Sequence, residues 1–135
     1  VGFPGESEED FEETIDLVKK VRYVSAFTFL YSIRTGTPAA TYSDQIPDDV
    51  KHARFERLVD ALNSITAEKN ATYAGKRVKI LVEGPSERGE EGTYQGRTDT
   101  FKLVNFKSDT DYTGQIIDID ITEAKTFSLF GEVAE

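Results

Sequence analysis

The chain has 135 residues, 38% of them hydrophobic and 30% charged, with a formal net charge of −9 at pH 7. It holds no cysteine, which excludes disulfides, thiolate metal sites and cysteine nucleophiles. No apolar run reaches the roughly 18 residues of a membrane span, and the acidity opposes bulk attraction to nucleic acid, so any RNA contact has to rest on a local patch.

Length of this order suits one domain, or a small domain joined to a piece of another. Methionine is absent throughout, position 1 included, so the chain reads as an internal fragment of a longer protein, with no secretory signal at its start. The single histidine, His52, lies in a polar stretch and reads as a solvated helix position. Asn70-Ala71-Thr72 matches a glycosylation acceptor, which carries no weight without a secretory signal.

In chain order, Val1 reads as the end of a strand and GFPG (2–5) as the turn that leaves it. Ser7 with Asp10 three residues on forms a capping box, acids fill the first turn and Lys19 and Lys20 close the last, so 7–21 is a predicted helix with Phe11, Ile15 and Val18 on one face. The β-branched and aromatic run 24–31 predicts a strand buried on both faces. SIRTGTPAATYSDQ follows as a loop. Pro47 opens a second helix, in which Phe55, Leu58, Leu62 and Ile65 line one stripe, and the pattern runs to about Tyr73.

Gly75 marks a break, and most of the glycines fall from there on. The period changes to two: predicted strands cover 76–83, 94–97, 102–106, 117–121 and 127–133, with Gly84-Pro85 closing the first. The domains expected are therefore 1–74, an α/β piece built as helix, strand and long helix, and 75–135, a five-stranded antiparallel barrel of the oligonucleotide-binding kind.

Two places offer chemistry. In such α/β folds the turn after a strand lies on the ligand-binding face, and the glycines of GFPG let backbone approach a ligand closely; a plain tight turn reads equally well. Glu6 is either a polar contact there or a helix-terminus charge. Arg34 can fork onto a carboxylate or phosphate, or be an ordinary loop arginine. In the barrel half, Arg88, Arg97, Lys102 and Lys107 fall within one stretch. With Val104 and Phe106 inward, alternation turns Phe101, Leu103 and Asn105 outward. An outward aromatic beside bases is how small barrels stack unpaired nucleotides. The other reading packs Phe101 on the long helix, and Asp99 opposes phosphate.

GFPGESEEDFEET followed by FTFLYSIRTGTPAA resembles the end of the radical S-adenosylmethionine domain of the methylthiotransferases. GKRVKILVEG, GRTDTFKLVNF and SLFGEV resemble the TRAM domain that ends those enzymes. Together the resemblance covers essentially the whole chain. YSIRTGTPAA, with Arg34 before Gly36-Thr37, is similar to the branch acting on tRNA; the ribosomal-protein branch tends to carry an acid near that position.

The resemblance implies a cytoplasmic parent enzyme with two [4Fe-4S] clusters and S-adenosylmethionine. It would add a methylthio group at C2 of an isopentenylated adenosine beside the anticodon, with the first half drawn from an α/β half-barrel. The cluster ligands of that family are cysteines, so this chain is expected to hold no catalytic residue, metal or cofactor of its own and to be inactive alone. The resemblance places Gly2, Gly5, Glu6, Arg34 and Thr37 at the S-adenosylmethionine pocket. It makes the anticodon stem-loop of tRNA the partner of the barrel; the RNA contacts expected from the residues themselves are Arg88, Arg97, Phe101, Lys102 and Lys107. The family often has Asn where this chain has Phe101. Two alternatives stay open: a parent acting on a ribosomal protein, and a structural or protein-docking barrel without RNA. No membrane partner is expected, and the apolar faces of 24–31 predict self-association.

Overall fold

The computed structural model describes residues 1–87 and 89–135. Its elements are α1 (Glu8–Val21), a 3-10 turn (Pro38–Thr41), α2 (Asp48–Ala71), and strands β1 (Arg77–Pro85), β2 (Thr93–Arg97), β3 (Leu103–Lys107), β4 (Ile116–Ala124) and β5 (Leu129–Val133). No helix is long and apolar enough to cross a membrane among the described residues. The chain forms two compact units, Val1–Thr66 and Ala67–Glu135. They part inside α2, upstream of the turn at Gly75 where composition changes, because Asn70 in the last helical turn bonds to the turn between β4 and β5.

In the first unit α1 is capped as its sequence predicts. Ser7 Oγ accepts from the Asp10 N–H, and the Asp10 carboxylate accepts from the Ser7 N–H (3.1 and 2.8 Å). Arg22 ends the helix in the left-handed conformation. Phe11, Ile15 and Val18 pack with Leu58, Leu62 and Ile65 of α2 as one core. The predicted stripe shifts at its start: Arg54 is buried and Phe55 only half-buried. The Arg54 guanidinium is satisfied by the Glu6 carbonyl and the Glu6 and Glu8 carboxylates, as a buried charge requires.

The predicted strand 24–31 does not form. The segment is extended but has no ladder, and Phe27 and Phe29 are 94% and 74% exposed. β-branched composition favours a pleated surface, yet a strand exists only where neighbours take up its N–H and C=O groups. The segment's backbone bonds instead to the Thr66 hydroxyl, which donates to the Val24 carbonyl (3.4 Å), and to Val1. The Val1 amino group donates to the Phe29 carbonyl (3.0 Å) and the Tyr31 N–H donates to the Val1 carbonyl (2.7 Å), flanking Leu30 as a parallel pair does.

The second unit is a closed barrel in the order β1-β2-β3-β5-β4. Ile80, Val82, Val104, Phe106, Ile119, Ile121 and Leu129 fill it. All five strands fall where the period of two predicts them. The barrel is not all antiparallel: β3 and β5 pair in parallel, with Val104 opposite Leu129 and Phe106 opposite Gly131. An odd number of strands cannot alternate direction around a closed ring, so one parallel seam is a necessity of five. β1 also continues through Pro85, its register shifting between Val82 and Gly84.

Candidate functional site

The GFPG turn is held from three sides. Gly2 and Gly5 both have positive φ (84° and 82°), where a side chain is strained. A Cβ on Gly5 would lie 2.6 Å from the Asp44 carboxylate, and one on Gly2 would collide with Lys51. These glycines are thus demanded by the protein's own packing. Glu6 is likewise committed internally: its carboxylate accepts from the Gly2 N–H and from Arg54, both at 3.0 Å. Around it Arg57 bonds Glu8 and Glu12 and lies over the Phe11 ring. The Glu8 carboxyl sits below its usual range, chiefly through the hydrogen bond from Arg57.

Arg34 and Thr37 do meet. The Thr37 N–H and hydroxyl both donate to the Arg34 carbonyl (3.2 and 2.8 Å), closing a tight turn. With Phe3, Tyr31 and Ala39 they line a hollow of about 330 Å³. Phe3 meets Tyr31 edge-on at 5.3 Å, and the buried Tyr31 hydroxyl has no hydrogen-bond partner. His52 is exposed, its Nδ1 2.6 Å from the Asp48 carbonyl within its own helix.

In the barrel the structure disperses the basic stretch. Arg88 lies outside the described residues. Lys107 stands opposite Thr93 and Arg97 opposite Leu103, so the two cations sit at opposite ends of the β2–β3 pair, about 13 Å apart along the strands. Lys107 is exposed and pairs with Glu90 at 2.9 Å. Arg97 pairs with Glu83 (3.1 Å) and donates to the Phe101 carbonyl (3.2 Å).

Lys102 departs most from expectation. It is buried, 8% exposed, and its Nζ donates to the Asn70 Oδ1 at 2.5 Å. Burial, with help from Lys69, pushes the ammonium below the usual lysine range. Asn70 in turn donates to the Lys125 and Thr126 carbonyls, both at 2.8 Å. Lys102 is therefore a structural cation and not a surface contact for phosphate. Phe101 is 78% exposed and has φ 63°, so it does not pack on the long helix. It belongs to the turn between β2 and β3, where strand alternation does not apply.

On the outer face of β2, β3 and β5 a groove of about 440 Å³ is lined by Ser86, Gln95, Arg97, Asn105, Phe127 and Phe130 among others. Phe127 is 72% exposed. Sequence reading passed over Phe127 because it looked like the first residue of the last strand; β5 starts at Leu129. It reads Asn70 only as part of a glycosylation-acceptor match. A poor helix former near the end of an apolar stripe was the available signal.

Residues 71–134, which hold all five strands of the closed barrel, match a known family model, TRAM domain. This stretch is similar to TRAM domains. The chain as a whole is similar to proteins named tRNA-2-methylthio-N(6)-dimethylallyladenosine synthase. It is 59% identical over 132 residues to that of Clostridium botulinum, covering 98% of this chain and 29% of that protein. It is 54% identical to that of Clostridium tetani over 98% of this chain and 29% of that protein. For Alkaliphilus oremlandii the figures are 53%, 100% and 28%. The chain thus spans less than a third of the curated relatives it matches.

Proposed function

We propose that this chain is the tRNA-facing part of a methylthiotransferase that modifies an isopentenylated adenosine beside the anticodon. The similarity that runs across both units and 98% of the chain carries this reading. The TRAM domain supplies the RNA contact, with Arg97 at one end of the β2–β3 face and Lys107 at the other. Both now sit in exposed or half-exposed ion pairs, which cost little to exchange for phosphate. Arg88 remains a further candidate by sequence alone.

The parent's implied cofactors fit this chain unequally. An iron–sulfur cluster does not fit. The chain has no cysteine, and no group of three or more His, Asp or Glu stands ready for a metal among the described residues. Cluster ligation falls to the rest of the enzyme. For S-adenosylmethionine, the hollow beside Arg34 and Thr37 fits one polar end of such a molecule. It offers the Arg34 guanidinium and the unpaired Tyr31 hydroxyl. Gly2, Gly5 and Glu6 support that wall by holding the GFPG turn, and Glu6 has no oxygen left over for the ligand.

Fluorescence anisotropy with a labelled anticodon stem-loop, run against a duplex of equal charge, tests the reading. Weak, salt-sensitive binding that favours the stem-loop is expected, with a shallow slope of roughly 0.7 per phosphate contact. No binding at low salt, or equal binding to both RNAs, would overturn it.

A further inference from the structure

The parallel pairing of β3 and β5 brings the turns that lead into these strands to one end of the barrel. Each turn carries one exposed phenylalanine, Phe101 before β3 and Phe127 before β5. Both turns lie beside Asn70, whose amide bonds Lys102, the residue after Phe101, and the carbonyl of Thr126, the residue before Phe127.

Both turns are held. Lys102 follows Phe101 directly, and the Thr126 carbonyl immediately precedes Phe127. One buried amide, Asn70, bonds both the Lys102 ammonium and that carbonyl. The 98–102 turn is closed further by hydrogen bonds between the Thr98 and Lys102 backbones and between the Phe101 N–H and the Thr98 carbonyl (3.1 and 3.0 Å). That closure keeps Phe101 at φ 63°, a conformation that disfavours a bulky residue. Strain of this kind, retained next to an exposed aromatic, points to use. Among the described residues neither ring stacks on another aromatic or a cation.

We propose that Phe101 and Phe127 form a platform on which two unpaired RNA bases stack. Asn70 and Lys102 hold the two turns that carry the rings, and Arg97, Lys69 and Lys125 stand beside the platform for the phosphates. The inference rests on the reading of this domain as RNA-binding. The occupant is argued from charge: Arg97 touches the Phe101 carbonyl and shares an exposed ion pair with Glu83, Lys125 lies in the Phe127 turn over the Phe130 ring and near Glu123, and Lys69 is close enough to act on Lys102; surface pairs of this kind exchange readily for phosphate. Cations around flat apolar rings suit a base-and-phosphate chain better than an apolar protein face, although Asp99 opposes them. Stacking on aromatic faces is tolerant of sequence and needs unpaired bases.

The test uses the full chain, a fluorescein-labelled anticodon stem-loop, and its fully paired stem as comparator. Phe127→Ala and Phe101→Asn, the latter suited to a left-handed backbone, should each weaken stem-loop binding roughly 5- to 150-fold. Salt slope and stem binding should stay unchanged. Lys69→Gln should lower the salt slope by about 0.7. A 2-aminopurine placed in the loop should change its fluorescence on binding the parent chain and not the phenylalanine variants. Stem-loop binding unaltered in both phenylalanine variants overturns the platform while leaving RNA binding intact. A parent chain that binds neither RNA overturns both. Phenylalanine variants that lose only self-association make the pair a contact between copies, which also overturns it.

Discussion

A lysine between Phe101 and Leu103 reads as a surface cation, because lysines are almost never buried unless paired. Its partner, Asn70, lies 32 residues away, and nothing local in the sequence announces the pairing. Asn70→Ala removes the acceptor of a buried ammonium and the donors to two carbonyls at once, and should cost about 2–4 kcal/mol. Lys102→Met removes the charge with its need and leaves only one amide oxygen unpaired, at about 1–2 kcal/mol. Urea unfolding of the two variants decides it; equal losses would mean that the ammonium is not what Asn70 holds. The sign with pH follows from the lowered Lys102 pKa. The folded state disfavours its proton, so stability should gain as pH rises from the folded pKa toward the ordinary 10.5. Lys102→Met should lack that gain. Phe101 gives a second residue-scale test, with opposite signs for stability and binding. Asn tolerates the left-handed region, so Phe101→Asn should raise stability by about 0.5–1 kcal/mol in the same unfolding assay. An Asn variant no more stable than the parent would show that φ 63° is not strained here.

Elements whose stabilising partners are local were legible. The helix α1 is one: its cap, first-turn acids and apolar face are all spelled within 15 residues of sequence. Ser7→Ala should cost about 1 kcal/mol. Hydrogen bonds from the Ser7 backbone and side chain hold the Asp10 carboxyl below its ordinary 3.8. Its contribution is therefore present above that pH and lost as pH falls further. Helical circular dichroism on acidification should fall earlier in Ser7→Ala than in the parent; coincident curves would remove the cap from the account. The barrel strands were legible for a similar reason, since alternation is a local signal. Their directions were not, because the parallel seam is a property of the closed ring and of no single strand. The predicted strand 24–31 failed on the same ground. Composition specified a pleated surface, and the partners that would complete a ladder are not near it. For the candidate sites, the meeting of Arg34 and Thr37 was legible from their spacing in one turn. Phe127 and Asn70 were not: Phe127 sits in a turn two residues before β5, and the partners of Asn70 lie 32 to 56 residues away.

At the scale of the whole molecule, the two units raise separate expectations. In the first, Phe27, Phe29 and Ile33 alternate along one extended segment and are all exposed. Unpaired backbone beside such a row associates, so light scattering across a concentration series should show assembly that Phe29→Lys reduces. A monomer at high concentration would refute this. In the second unit the question is where independence begins. Composition changes at Gly75, but the compact unit starts at Ala67, since the last turn of α2 carries Asn70, and Tyr73 packs against the barrel core. A chain of residues 67–135 should therefore unfold in one cooperative transition. A chain of residues 75–135 keeps every strand but leaves the Lys102 ammonium and the Lys125 and Thr126 carbonyls without the Asn70 amide. It should be less stable by at least the Asn70→Ala loss, about 2–4 kcal/mol. Adding Asn70→Ala to residues 67–135 should recover most of the difference between the two chains. If both lengths melt together, the helix end is a passenger and the barrel holds its lysine by other means.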